Sequence, residues 1–180
     1  MAHCFFAFFL FGWLINMNAQ IVIHTININN REELTDFFRY EENNSPLISG
    51  HRGGARIGFP ENCIATLENT LQYTPAIFEI DPRLTKDSVV VLMHDGTLDR
   101  TTTGKGRLTD HTWEELQNLH LKDKYGNITM YRIPLLEEVI KWSKGKTILV
   151  LDDKNVPYER IINMLRIHDA FSNVLMTVRN

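Results

Sequence analysis

Residues 48–62 read ISGHRGGARIGFPEN. A short apolar run, Pro46-Leu47-Ile48, has the character of a brief buried strand and stops at His51-Arg52, after which Gly53, Gly54 and Gly58 free the backbone to turn and to approach a ligand closely. A histidine exchanges protons near neutral pH, and a guanidinium offers planar, permanently charged donors suited to a phosphate or a carboxylate. Taken alone, such a pair beside a glycine turn is more often a solvated loop. The fold and the function therefore turn on whether other strands end in the same way.

Three others do. Residues 77–80 (IFEI) carry Glu79 and run into Asp81; residues 89–93 (VVVLM) are apolar throughout, as in a strand covered on both faces, and run into His94-Asp95; residues 147–151 (TILVL) run into Asp152-Asp153-Lys154. Helical spacing lies between them. Asn62 is placed to cap a helix through Ile64, Leu67 and Leu71, Thr109 or Thr112 another, and residues 134–142 and 157–168 read as helices, the first closed by Gly145. Residues 174–178 read as a last strand. Alternation of strand and helix predicts an α/β fold with a parallel sheet and helical crossovers, and in a parallel barrel the four polar strand ends share one rim.

The residue types at that rim suggest a chemistry. Glu79 and Asp81, two apart on a strand, point to the same side, and like charges held so close call for a hard divalent ion or an arginine between them. Lys154, two after Asp152, sets an ammonium beside a carboxylate, one suited to phosphate and the other to metal. Two histidines on neighbouring strand ends, His51 and His94, allow one to accept a proton while the other donates one. The loop of residues 98–106 (LDRTTTGKG) reads mostly as a structural crossover, and Trp113 and Trp142 as core.

Composition sets bounds. A chain of 180 residues, 43% hydrophobic and 23% charged, buries one good core. With a net charge of -3 and no basic block, nothing points to nucleic acid. Residues 4–15 (CFFAFFLFGWLI) are apolar yet too short to span a bilayer, and with Ala19-Gln20 behind them they read as a secretory signal over residues 1–19. Cleavage would export the protein, and an uncleaved segment would anchor it at a membrane. Cys63 is then the sole cysteine of the mature chain and reads as a small core residue. Residues 20–46 form an N-terminal extension, in which residues 21–28 could be a strand and residues 31–42 a helix packed outside the main fold.

In this order, the motifs resemble the glycerophosphodiester phosphodiesterases: His51-Arg52-Gly53, Pro60-Glu61-Asn62, Glu79-x-Asp81, His94-Asp95, and Leu98-Asp99-Arg100-Thr101-Thr102 with Gly104 and Gly106. The resemblance implies a TIM barrel and metal-dependent hydrolysis of glycerophosphodiesters to glycerol 3-phosphate and an alcohol. It matches His51 and His94 to the general acid/base pair and Arg52 to a phosphate contact. It matches Glu79, Asp81 and Asp152 to the ligands of a divalent ion, Mg²⁺ or Ca²⁺, with Lys154 on the phosphate; Asp152 stands where the family usually has Glu. A barrel needs about 250 residues, so residues 47–180 are expected to hold its N-terminal part, about five βα units. A silent envelope protein that binds phosphate or a lipid headgroup, and a phospholipase-like phosphodiesterase, are the alternatives.

Overall fold

A computed structural model describes residues 22–42 and 45–177. The expected signal at residues 1–19 lies outside them. Four strands form one parallel sheet in the order β1-β2-β7-β8, with β1 at Ser49–His51, β2 at Ile77–Ile80, β7 at Leu149–Leu151 and β8 at Val174–Met176. Two antiparallel hairpins, β3 (Pro82–Leu84) with β4 (Val90–Leu92) and β5 (His120–Lys122) with β6 (Ile128–Arg132), are inserted between β2 and β7. This is an arc of a TIM barrel, with a four-stranded parallel sheet where about five βα units were expected.

Each crossover is built as its apolar spacing requires. Helix α2 (Ile64–Leu71) buries Leu67 and Leu71, α4 (Leu136–Ser143) buries Leu136, Val139 and Ile140, and α5 (Tyr158–Ile167) buries Ile161 and Leu165. These side chains meet Phe78, Ile80, Leu149 and Leu151 of the sheet in the main core. At about 25 cal/mol per Å² of apolar surface removed from water, this contact is what holds helices of eight to ten residues, too short to be stable alone. Gly50 is small for a reason: a Cβ there would lie 2.7 Å from the Phe78 ring.

Residues 89–93 do not join the parallel sheet. Strand β4 (Val90–Leu92) pairs antiparallel with β3 (Pro82–Leu84), the direct continuation of β2. The run is wholly apolar because Val91 and Met93 pack on a second core with Leu98, Leu108, Leu116 and Ile133, while Val90 and Leu92 pack on the first. Burial on two faces is common to a central parallel strand and to this hairpin, so composition does not separate them. The hairpin still reaches the rim, because it folds back on itself and Met93 N donates to Asp81 O at 2.9 Å.

The second hairpin, β5 (His120–Lys122) with β6 (Ile128–Arg132), follows the short helix α3 (Trp113–Leu116), which Thr112 caps in a capping box with Glu115. Asp123 ties the hairpin to the loop after β1. Its buried carboxylate accepts from the backbone N–H of Gly58 at 3.0 Å, from those of Tyr125 and Asn127, and from Asn127 Nδ2. The Gly58 N–H and Asn127 bonds lower its pKa from 3.8 to about 2. A lowered carboxylate contributes stability above its unfolded pKa and loses it as pH falls through the folded value. The stability gap between the wild type and Asp123→Asn should therefore close as pH falls from about 4 to about 2, measured by denaturant titration at each pH; a constant gap would show that charge is irrelevant there.

The N-terminal extension closes the opposite end of the sheet. Helix α1 (Arg31–Phe37), capped by Asn30, packs Leu34 with Ile26 on Ile77 and Ile148, where β2 and β7 begin. Residues 22–29 are extended without joining a ladder, held by His24 N to Leu71 O and Ile26 N to Lys146 O, both 2.8 Å. Helix α4 begins after Leu135, with Pro134 outside it, because Pro134 O is taken by Leu92 N. Trp113 and Trp142 are half-buried at the edges of the core. Among the described residues no helix is long and apolar enough to cross a membrane.

Candidate active site

The rim is built where β1, β2 and β7 end. One carboxylate oxygen from each of Glu79, Asp81 and Asp152 lies within 4.8 Å of the others. Parallel pairing of β2 with β7 does this, setting Glu79 beside Val150 and Ile80 beside Leu151, so that the residues after each strand emerge together. Asp81 is fully buried. Lys154 stands against it, with Nζ 3.2 Å from Asp81 Oδ1 and bonded also to Asp152 Oδ2. Burial disfavours the Lys154 ammonium, but Asp152 and Asp81 outweigh it and its pKa is raised. Glu79 is pushed up, first by burial and then by the charge of Asp81, against the pull of the Arg52 N–H and His51.

Three clustered carboxylates, one of them fully buried and one whose pKa is raised by burial and by its neighbour's charge, fit a hard divalent ion. Such an ion would offset the repulsion between the Glu79 and Asp81 carboxylates. The shorter arm of Asp152 is no obstacle to the cluster.

The β1 loop supplies the cations. Arg52 takes a left-handed backbone, φ 52°, which lets its N–H donate to Glu79 Oε2 at 3.1 Å while its side chain turns inward. There Nη1 meets Glu61 Oε1 at 3.3 Å and Nε lies 3.5 Å from Asp81 Oδ2. Asn62, also left-handed with φ 54°, does not cap α2; its Nδ2 donates to Asp81 Oδ2 at 2.7 Å and its Oδ1 accepts from Asp81 N at 3.0 Å. Helix α2 starts from Cys63, which makes no side-chain cap. Burial pushes the Cys63 thiol up, consistent with a core residue.

His51 Nε2 lies 3.9 Å from Glu79 Oε2 with most of the ring exposed. An open cleft of ≈ 490 Å³ beside it is lined by Arg52, Gly54 and Glu61; the larger grooves, on α1 and α5, contain none of these residues. His94 follows Met93, whose N–H reaches Asp81 O. Arg83 holds the backbone carbonyl of His94 with Nε at 2.9 Å and Nη2 at 2.6 Å, and His94 Nδ1 meets Asp95 Oδ1 at 2.8 Å. All seven sequence-predicted residues thus fall at these strand ends, in two groups: His51, Arg52, Glu79, Asp81, Asp152 and Lys154 in mutual contact, and His94 with Asp95. Sequence reasoning left Glu61 and Arg100 without roles and gave Asn62 only that of a helix cap, though each stood inside a quoted motif.

A profile of the glycerophosphoryl diester phosphodiesterase family matches residues 51–179. The chain belongs to this family. It is 57% identical to a glycerophosphoryl diester phosphodiesterase of Parabacteroides distasonis of known structure, with a TM-score of 0.85 over 87% of this chain and 55% of that one. It is 39% identical over 105 residues to a glycerophosphodiester phosphodiesterase of Caldanaerobacter subterraneus, 58% of this chain and 43% of that protein. An Oleispira antarctica phosphodiesterase solved with the product sn-glycerol-3-phosphate is 26% identical, with a TM-score of 0.59 over 73% of this chain and 56% of that one. The chain spans about half the length of the relatives it matches. The match covers every rim residue of the glycerophosphoryl diester phosphodiesterase pattern, and it leaves out the N-terminal extension that packs on the far end of the sheet.

Proposed function

We propose that the chain carries the ion- and phosphate-binding part of a metal-dependent hydrolase that converts glycerophosphodiesters to glycerol 3-phosphate and an alcohol. The observation that carries this reading is the cluster of Glu79, Asp81 and Asp152 with Lys154 and Arg52 set against it. A divalent ion held by the three carboxylates, Mg²⁺ or Ca²⁺, would polarise the phosphoryl oxygens and offset their charge. Arg52 and Lys154 would bind the same group, their charge set against the carboxylates that would hold the ion. One histidine takes the proton of the attacking water as its oxygen bonds to phosphorus. The other delivers a proton to the leaving alkoxide as the opposite P–O bond breaks. The product held by the Oleispira relative supports the substrate class.

The test is release of glycerol 3-phosphate from glycerophosphocholine, with Mg²⁺, with Ca²⁺ and with chelator. Release that needs an ion is expected. Glu79→Gln should weaken ion binding in a calorimetric titration by about 10-fold or more and lose activity in parallel. No release with either ion, or release indifferent to chelator, would overturn the reading.

A further inference from the structure

Arg100 lies outside the carboxylate cluster, yet it connects both groups of rim residues. Its Nε and Nη2 donate to the two oxygens of Asp95 at 2.7 and 2.9 Å, and its Nη1 and Nη2 donate to the two oxygens of Glu61 at 2.8 Å each. One guanidinium makes two forked pairs with carboxylates that come from loops 39 and 5 residues away in sequence. Each carboxylate then touches a different member of the site: Asp95 Oδ1 meets His94 Nδ1 at 2.8 Å, and Glu61 Oε1 meets Arg52 Nη1 at 3.3 Å. An isolated surface ion pair contributes about 0–1 kcal/mol and needs no such geometry. A double fork in which all three nitrogens are committed is a positional constraint that only arginine can supply.

Resting on the reading above, we propose that Arg100 is a positioning residue that sets His94 through Asp95 and Arg52 through Glu61, so that one cation aligns proton transfer and phosphate holding together. The chemistry follows from what a carboxylate can do. An ionised Asp95 only accepts hydrogen bonds, so the proton on the neutral His94 ring resides on Nδ1 and Nε2 is the free basic atom. Arg100 keeps Asp95 ionised and in one rotamer; its side-chain hydrogen bonds, with a smaller one from His94, hold that carboxyl far below the usual range. Glu61 is opposed by burial, but Arg100 and then Arg52 keep it charged, so it can hold Arg52 without itself taking a proton. Arg100 is half-exposed, and Glu61 and Asp95 are mostly covered.

The test compares wild type with Arg100→Met and Arg100→Lys. Nitrogen-15 spectra of the histidines report the tautomer of His94 without any turnover. Wild type should show His94 with Nδ1 protonated and Nε2 free, and both variants a mixture of tautomers. In the glycerophosphocholine assay with Mg²⁺, both should lose about 10- to 100-fold in kcat, while calorimetric Mg²⁺ affinity stays within about two-fold. Lysine keeps the charge but cannot fork to both carboxylates, so failure of Arg100→Lys to restore kcat separates alignment from simple charge. Melting midpoints identify a variant that has merely unfolded, in which case the lysine variant decides. An unchanged tautomer, or an unchanged kcat beside an altered tautomer, overturns the inference. If wild type binds Mg²⁺ and releases no product, the enzymatic reading fails, and the tautomer alone decides whether Arg100 aligns His94.

Discussion

Replacing Asp81 with alanine is expected to abolish divalent-ion binding and to destabilise the protein by about 3 kcal/mol. Asp81 is fully buried between three partners: Lys154 Nζ at 3.2 Å, Arg52 Nε at 3.5 Å and Asn62 Nδ2 at 2.7 Å. Removing it leaves Lys154 paired only with Asp152 and Arg52 only with Glu61, both cations largely covered, with side chains 13% and 18% exposed. Breaking one side of a buried ion cluster costs more than the cluster ever contributed, because the remaining charges stay desolvated. Asp81→Asn keeps the shape and a carbonyl for Asn62, so it should bind the ion as poorly while losing less stability. Calorimetry with Mg²⁺ and Ca²⁺ and denaturant titration separate the two effects. An alanine variant that binds the ion as wild type does would remove Asp81 from the ligand set.

Loss of either histidine should reduce turnover by about 10²- to 10⁴-fold, the range for a positioned general acid or base. On the proposed mechanism the two act on one proton circuit. His51→Ala combined with His94→Ala should therefore fall little further than the worse single variant, since a broken circuit cannot be broken again. Ion binding should survive both, because neither ring belongs to the carboxylate cluster. Full additivity in the double variant would mean that the histidines serve separate steps. Retention of activity in His51→Ala would exclude that ring from proton transfer despite its 3.9 Å approach to Glu79.

Much of this was legible in the chain. The parallel strands at Ile77–Ile80 and Leu149–Leu151 announced themselves as apolar runs between helical spacings, and the carboxylate cluster followed from the two-residue period of a strand. Strand β4 was misassigned to the parallel sheet, since two-sided burial leaves the same apolar signature in a hairpin. Hairpin β5–β6 escaped notice because β6 presents Ile128, Met130 and Arg132 outward, which blurs the alternation that marks a half-buried strand. Asn62 looked like a helix cap because asparagine suits one; a carboxylate 19 residues away competes for the same amide and wins. The double fork of Arg100 depends on a partner 39 residues off, and no local pattern encodes it.

The return of β4 to Asp81 also bears on how the rim comes together. Met93, next to His94, meets Asp81 across 12 residues of chain, whereas Glu79 and Asp152 are brought together only when β2 finds β7 across 73. Chain closure grows as the logarithm of that separation, so the carboxylate half costs about 1.6 kcal/mol more in lost entropy before any contact forms. The hairpin half is a local product of the chain, and the carboxylate half is a product of the barrel.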